Sequence, residues 1–287
     1  MTTTLTDVWW TEQASPLIIN QYEHSGRRMK GMLTPPVRIE GSKYKFKVSG
    51  PIAAKKYTGG KTVPANGYRG TVDLVPEAYY ARDDVNMIDA ARMNVNEKDN
   101  VVLKVGNALG RQADQIVFDA LNAQGGLTTA GASANAWTLS AAATAVQLLR
   151  KQMKGADGDL FCPMPTNAWS QMLTYDAFSN SQWVGSENLP LANGLKGKMW
   201  NGVFWFEYGN DDVFPLANTD DRDFFLFHRN AVGFGDNIAD MQLIPPTRIP
   251  ETFDWEITGV FDAGAKVLLP EGIIRCLCDD DAAITFS

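Results

Sequence analysis

The sequence predicts an α+β protein, and three observations carry that prediction. Basic and apolar residues alternate in "KYKFKVSG" from Lys43, the two-residue period of a strand. Apolar residues recur at three and four over 96–124, the period of one long helix. Beyond it, helical and strand patterns alternate before the chain closes on strand and turn signals, so helices and strands are both abundant and partly segregated.

Residues 1 to about 37 mix threonines, Trp9-Trp10, a basic knot at Arg27, Arg28 and Lys30, and Pro35-Pro36, and predict an arm rather than a core element. From Val37 to about Val85 the signals are strand and turn: the alternating stretch, then Gly50-Pro51, Gly59-Gly60, Asn66-Gly67 and Gly70, then "TVDLVPEAYYA". Two strands joined by a long Gly- and Lys-rich tip form a hairpin whose apolar face, Tyr44, Phe46 and Val48, needs cover from outside the hairpin. The opposite face carries Lys43, Lys45 and Lys47. The basic run continues through Lys55, Lys56, Lys61 and Arg69, with no acidic residue between Gly41 and Val72.

The helix over 96–124 places Val102, Val105, Leu109, Ala113, Ile116, Val117 and Ala120 on one stripe, with Asn96 as N-cap, Asp99 favouring the helix dipole and Gly125-Gly126 as the stop. Gly106 and Gly110 each cost about 1 kcal/mol against alanine, which predicts a close backbone approach by another element. A second helix follows over "TLSAAATAVQLLRKQMKG", with Ser140 as N-cap. "GDLFCPMPTNAWSQMLTY" then runs from a strand at Leu160–Cys162 to a helix capped by Thr166. The later strand signals are "GKMWNGVFWFEYGND", "RDFFLFHRNAVGFGDN" and "FDWEITGVFDAGAKVLLPEGIIRCLCDDD".

Composition bounds the function. The content is 45% hydrophobic, enough for an ordinary core, and no apolar run approaches the roughly 20 residues of a membrane helix. The amino terminus has no signal-peptide pattern, which predicts a protein kept in the cytoplasm. Cys162, Cys276 and Cys278 cannot all pair and are read as reduced and structural. A net charge of -7 argues against tight sequence-independent binding to nucleic acid, whose affinity comes mainly from Lys and Arg displacing counterions.

No catalytic residue, cofactor site or metal site is predicted. His24 and His228 stand apart from any nucleophile, and "VGFGDN" lacks the third glycine and the helix of a dinucleotide loop. Asp220, Asp221 and Asp223, and the run Asp279, Asp280, Asp281, lack calcium-loop spacing and are read as exposed acidic turns. "CLC" at 276–278 has no second ligand pair for zinc.

The order of the pieces, with "NVVLKVGNALGRQADQIVFDAL", "LFCPMPTNAWSQML", "HRNAVGFG" and "ITGVFDAGAKVLLPEGIIR", resembles the major capsid proteins of tailed bacteriophages, the Hong Kong 97 type of shell subunit, from about Val37 to Thr285. The resemblance implies a Hong Kong 97-like fold divided as 1–37 N-terminal arm, 38–88 extended hairpin loop, 89–135 peripheral domain with spine helix, 136–245 axial domain and 246–287 return strands of the peripheral domain. It implies a structural protein, not an enzyme, that assembles as hexamers and pentamers into the icosahedral head of a virion. Such heads form in the bacterial host cytoplasm and enclose double-stranded DNA without binding it tightly, through a shell that expands on packaging. Only about 37 residues precede the hairpin, implying a separate scaffolding protein or a removed propeptide, and the start at Met1 favours the former; a portal is implied as well. Some members cross-link a hairpin Lys to a neighbour's Asn. Lys55, Lys56 and Lys61 are possible donors here and Asn230 or Asn237 possible acceptors, solvated or ion-paired lysines being the plainer reading.

On that basis the subunit-interface residues are expected to be Tyr44, Phe46, Val48, Lys43, Lys45, Lys47, Lys55, Lys56, Lys61, Arg69, Arg27 and Arg28. A net-acidic copy offers charge complementarity to the lysines and cover for the apolar face. The competing readings are an edge hairpin within the subunit, an encapsulin-type nanocompartment shell and a cytoplasmic α/β enzyme.

Overall fold

A computed structural model describes residues 26, 28–36, 38–40, 43–52, 54, 69–86, 97–155, 158–179, 197–218, 220–236, 242–249 and 254–284. Its strands are β1 (Arg38–Glu40), β2 (Lys43–Ser49), β3 (Arg69–Leu74), β4 (Glu77–Asn86), β5 (Thr128–Gly131), β6 (Leu160–Met164), β7 (Gly197–Trp200), β8 (Val203–Glu207), β9 (Asp221–His228), β10 (Val232–Asp236), β11 (Gln242–Ile249), β12 (Asp254–Val267) and β13 (Ile273–Asp279). The helices are α1 (Glu97–Asn122), α2 (Leu139–Gln152), α3 (Thr166–Leu173) and the single turn α4 (Asp176–Ser179).

The described residues fall into two compact units, a smaller one drawn from 78–112, 238–262 and Gly26 and a larger one from 28–77, 113–236 and 263–284. α1 has 26 residues, about 39 Å of rod at 1.5 Å per residue. Its buried apolar side chains among the described residues are Val101, Val105, Leu109, Ala113, Ile116, Val117, Phe118 and Leu121. The predicted stripe is thus right over most of its length, while Val102 and Ala120 lie at its margin, half-buried. The expected cap Asn96 lies outside the described residues. One of the two helix glycines has the predicted close neighbour: a methyl built on Gly26 would sit 2.1 Å from the Gly110 carbonyl carbon, so backbone meets backbone there. At Gly106 an added methyl meets nothing within 4 Å.

In the smaller unit the first part of β12 pairs antiparallel with β11, from Ile249↔Asp254 to Gln242↔Val260. The register shifts between Ile244 and Thr247, where Pro245 and Pro246 have no amide to donate. β4 also pairs with β12, and Tyr79 rests on Phe261 at 5.6 Å.

The larger unit holds a six-stranded mixed sheet in the order β5-β13-β9-β6-β8-β7. Leu160, Cys162, Met164, Val203, Trp205, Phe224, Leu226 and Phe227 are among its buried side chains. α2 packs on it through Ala142, Ala145, Val146 and Leu149. Thr138, rather than Ser140, caps α2, its side chain accepting from the Ala141 amide at 3.1 Å. Thr166 is likewise the first helical residue of α3 and not its cap: its amide donates to the Asp211 carboxylate at 2.9 Å, so a distant residue supplies the missing acceptor. β7 and β8 are joined by Asn201 and Gly202, with φ of +49° and +73°, the left-handed pair that a tight two-residue hairpin turn needs.

The closing segment does not all return to one sheet. β12 pairs with β10 and β11, but Ile273–Asp279 enters the six-stranded sheet between β5 and β9. The reason is compositional: Ile273, Ile274, Cys276 and Cys278 are fully buried, and so many apolar residues on both faces suit a strand covered on both sides. Part of the stretch expected as an arm is packed. Met29 and Leu33 are buried, Thr34 bridges to Gly233, and residues 28–36 are part of the larger unit's body.

Candidate assembly surfaces

β2 pairs with β3 from Tyr44↔Leu74 to Ser49↔Arg69, so Tyr44, Phe46, Val48, Leu74 and Val72 share one face and Lys43, Lys45, Lys47, Asp73, Thr71 and Arg69 the other. The apolar face finds its cover inside its own chain. A methyl on Gly233 would lie 2.7 Å from the Phe46 ring, one on Gly235 would lie 2.8 Å from the Tyr44 ring, and one on Gly264 would lie 3.0 Å from Leu74. Gly235 and Gly264 are cross-strand partners on β10 and β12. The three glycines form a flat seat on which two aromatic rings lie against backbone, leaving Tyr44 and Phe46 each 1% exposed. Lys266, paired with Gly233 across the ladder, fixes the edge of the seat by donating to the Asp73 carbonyl at 2.9 Å.

This corrects the expectation that Tyr44 and Phe46 await a neighbouring copy. Glycine has no side chain and leaves no apolar signal, so a surface within the chain broad enough for them is not legible in the sequence. The spacing of "VGFGD", with two glycines on one face of a strand, was the signal that could have shown it. Moving outward along the hairpin the support thins: Val48 and Val72 are half-buried and Ile52 is 68% exposed. On the other face Lys43, Lys47 and Arg69 are exposed, and Lys45 lies half-buried across from Asp73. Lys55, Lys56, Lys61 and Arg27 lie outside the described residues, as does Asn237.

Arg28 is engaged within the subunit. Its guanidinium donates to the Tyr208 carbonyl at 2.8 Å and its amide to Asp114 at 3.0 Å. The Tyr208 ring meets Phe118 and Phe214 edge-on at 5.4 and 6.0 Å, and burial, with the Asp114 carboxylate beside it, pushes the Tyr208 hydroxyl's pKa far above the usual phenol range.

The acidic clusters are not simply exposed turns. Asp221 and Asp223 are 4% and 1% exposed. Asp221 accepts from the Ser133 hydroxyl, from the Ala134 amide at 2.9 Å and from Asn218 at 2.9 Å; these bonds favour the carboxylate and hold its pKa below the ordinary value. Asp223 accepts from Arg275, and Arg222 donates to Asp280. Among the described residues no group of three acidic, His or Cys side chains is placed to hold a metal ion. Because the Asp221 pKa is depressed in the fold, its contribution is present above the usual carboxylate value, near 3.9, and is lost as the pH falls from there through the lowered value in the fold. Asp221→Asn is therefore expected to flatten the acid limb of a plot of melting temperature against pH below about 4; an unchanged slope would contradict the role.

Cys162, Cys276 and Cys278 are buried free thiols, and burial raises the pKa of Cys162 and Cys278. His228 accepts from the Asn230 amide at 3.0 Å through Nδ1. His24 lies outside the described residues.

These elements, a hairpin seated on glycines of its own chain, one long helix and a six-stranded mixed sheet, are found together among known proteins. The phage capsid protein family model matches residues 13–280. The chain belongs to the phage capsid protein family. No curated protein matches it. Among solved structures, this capsid protein is similar to Mycobacterium phage Che8 (18% identity, 92% of this chain and 96% of that one, TM-score 0.70) and to the capsid of cyanophage P-SCSP1u (15%, 96% and 94%, 0.70). It is also similar to the acid-stable capsid of Helicobacter pylori bacteriophage KHP30 (7%, 98% and 98%, 0.73). At such identities the likeness shows the fold, which is the Hong Kong 97-type capsid fold. With the family, it makes the chain a major capsid protein that forms the phage head, and neither the nanocompartment nor the enzyme alternative is favoured.

Proposed function

We propose that this capsid protein closes, as hexamers and pentamers of itself, into an icosahedral shell around phage double-stranded DNA, and that the hairpin carries the contact that ties one copy to the next. The observation behind the second statement is the division of the hairpin into a seated apolar face and an exposed basic one. Because Tyr44 and Phe46 are covered at home, what the hairpin offers outward is charge: Lys43, Lys47 and Arg69, with Lys45 beside them. A copy of net charge -7 is a suitable anionic surface for that strip. Repetition around a closed shell multiplies a modest contact into a durable particle. An acidic shell also contains DNA without clinging to it. The protein acts as a building block rather than a catalyst; assembly takes place in the host cytoplasm with a scaffolding protein and a portal, and the product is the virion capsid.

The test is reversal of the strip, Lys43→Glu, Lys47→Glu and Arg69→Glu together. Surface substitutions of this kind each change stability by no more than about 0.5 kcal/mol, so the melting temperature should hold. The yield of shells counted by negative-stain microscopy should fall at least tenfold, and wild-type assembly should weaken as salt screens the contact. Normal shells from the triple variant would overturn the basic strip; a wild-type chain that never forms rings or shells, even with its scaffold, would overturn assembly.

A further inference from the structure

We infer that His228 is an acid-sensitive latch: only while its imidazole is neutral does it hold the corner where the chain leaves the six-stranded sheet for the strand that seats the hairpin. His228 is the last residue of β9, and after a single turn, Arg229–Ala231, the chain enters β10. The two strands belong to different sheets. Nδ1 of His228 accepts from the Asn230 amide at 3.0 Å and so caps the turn, satisfying a backbone donor that has no partner inside it. An acceptor nitrogen carries no hydrogen, so the hydrogen of the neutral ring sits on Nε2. That end of the ring rests against bare backbone. A methyl on Gly158 would stand 1.9 Å from Nε2, which is buried and meets no hydrogen-bond partner among the described residues.

This setting suits one charge state of the ring. A second proton goes to Nδ1, because Nε2 already bears one, and turns an N–H toward the N–H of Asn230. The cap is then lost. The charged groups around the corner are Arg229 in the turn itself, Asp159 just ahead of β6 and Glu271 in the turn Pro270–Gly272, where a methyl on Gly272 would come within 3.5 Å of the His228 Cβ. Arg229 and Asp159 pair with each other at 3.5 Å and offset one another. The other polar neighbours, Thr34 and Asn230, are neutral. Further ties keep the subunit whole when the cap goes: the Arg229 amide donates to the Asp159 carbonyl at 3.0 Å, the Thr34 hydroxyl to the Arg229 carbonyl at 2.9 Å and the Leu268 amide to the Ala231 carbonyl at 2.7 Å. Acid therefore loosens this turn without unfolding the chain, and the turn is the one that leads into Gly233 and Gly235, where the hairpin rings lie.

The latch is a property of the single subunit and stands apart from the shell reading. The experiment is hydrogen exchange with mass spectrometry on the full chain from about pH 7.5 to 5.5, the range that brackets proton uptake by imidazoles. Each rate is divided by that of the unstructured chain at the same pH, for wild type, His228→Asn and His228→Phe. Asparagine caps turns through a side-chain oxygen that does not change charge, whereas phenylalanine keeps a ring and removes the acceptor. In wild type the protection of 229–232 is expected to fall about fivefold as the pH drops, the worth of a typical cap, while 222–227 keep theirs. His228→Asn should hold its protection across the range, and His228→Phe should sit at the low value throughout. If His228→Phe does not fold, wild type against His228→Asn decides the matter. Nitrogen NMR at pH 7.5 should place the imidazole hydrogen on Nε2, the His228 signals being those absent from His228→Asn. Protection in wild type that does not change with pH would overturn the proposal, as would an equal fall in His228→Asn or a hydrogen found on Nδ1.

Discussion

Gly233→Ala is expected to lower subunit stability by about 1–3 kcal/mol, the usual cost of forcing a methyl group into a packed site. The added carbon would stand 2.7 and 2.8 Å from two Phe46 ring carbons, where contact carbons sit about 3.5–4.0 Å apart. The ring has little room to retreat, being 1% exposed and wedged with Tyr44 and Leu74. Phe46→Ala alone opens a cavity over bare backbone and should cost about 3–5 kcal/mol. Combined, the new methyl partly fills the space the ring vacated, so the double variant should be less destabilised than the sum of the two by about 0.5–3 kcal/mol. Urea denaturation of the four proteins of the cycle checks this, provided the slope with denaturant is constant. Strict additivity would mean that the glycines do not seat the ring, and the account of a self-covered hairpin would fail with it.

That cycle probes the feature least legible in the sequence. The period of two over Lys43–Ser49 and the period of three and four over α1 were readable because each rule concerns residues near one another in the chain. Which surface a strand face rests on is a different kind of fact. Phe46 and Gly233 are far apart in sequence, and glycine contributes nothing to hydropathy, so "VGFG", which lacks the third glycine and the helix of a dinucleotide loop, gives no sign that its glycines are absent side chains that make room for rings. The buried acids were missed for a related reason. Asp114 interrupts an otherwise apolar stripe, and Asp221 and Asp223 alternate with Arg222 ahead of Phe224, yet charge alone suggests solvent. Only the donors brought from elsewhere, Arg28, Met29 and Tyr208 for the first and Ser133, Ala134 and Asn218 for the second, make burial tolerable. Which sheet Ile273–Asp279 joins is not legible in its pattern alone; its two-sided burial suits the middle of the six-stranded sheet, where it lies between β5 and β9.

Replacing residues 50–68 by Asn-Gly should separate folding from assembly more completely than any point substitution. Ser49 and Arg69 are directly paired, so a two-residue turn can close the ladder at that point in the left-handed geometry that Asn-Gly favours. Tyr44, Phe46 and Leu74, the buried cluster, are all retained, and the loss of Ile52, 68% exposed, removes little buried area. Shortening the connection by about three doublings lowers its closure entropy by about 2 kcal/mol, so the melting temperature should hold or rise. If the tip and the basic face reach another copy, shells should be absent or at least tenfold fewer by negative-stain microscopy, and sedimentation should show the shortened chain as free subunits or small oligomers. A subunit that unfolds on shortening would place the tip among the elements that hold the fold together. Normal shells would show that copies hold one another without it. A chain that folds as well as before and no longer closes would locate the tie between subunits in residues 50–68.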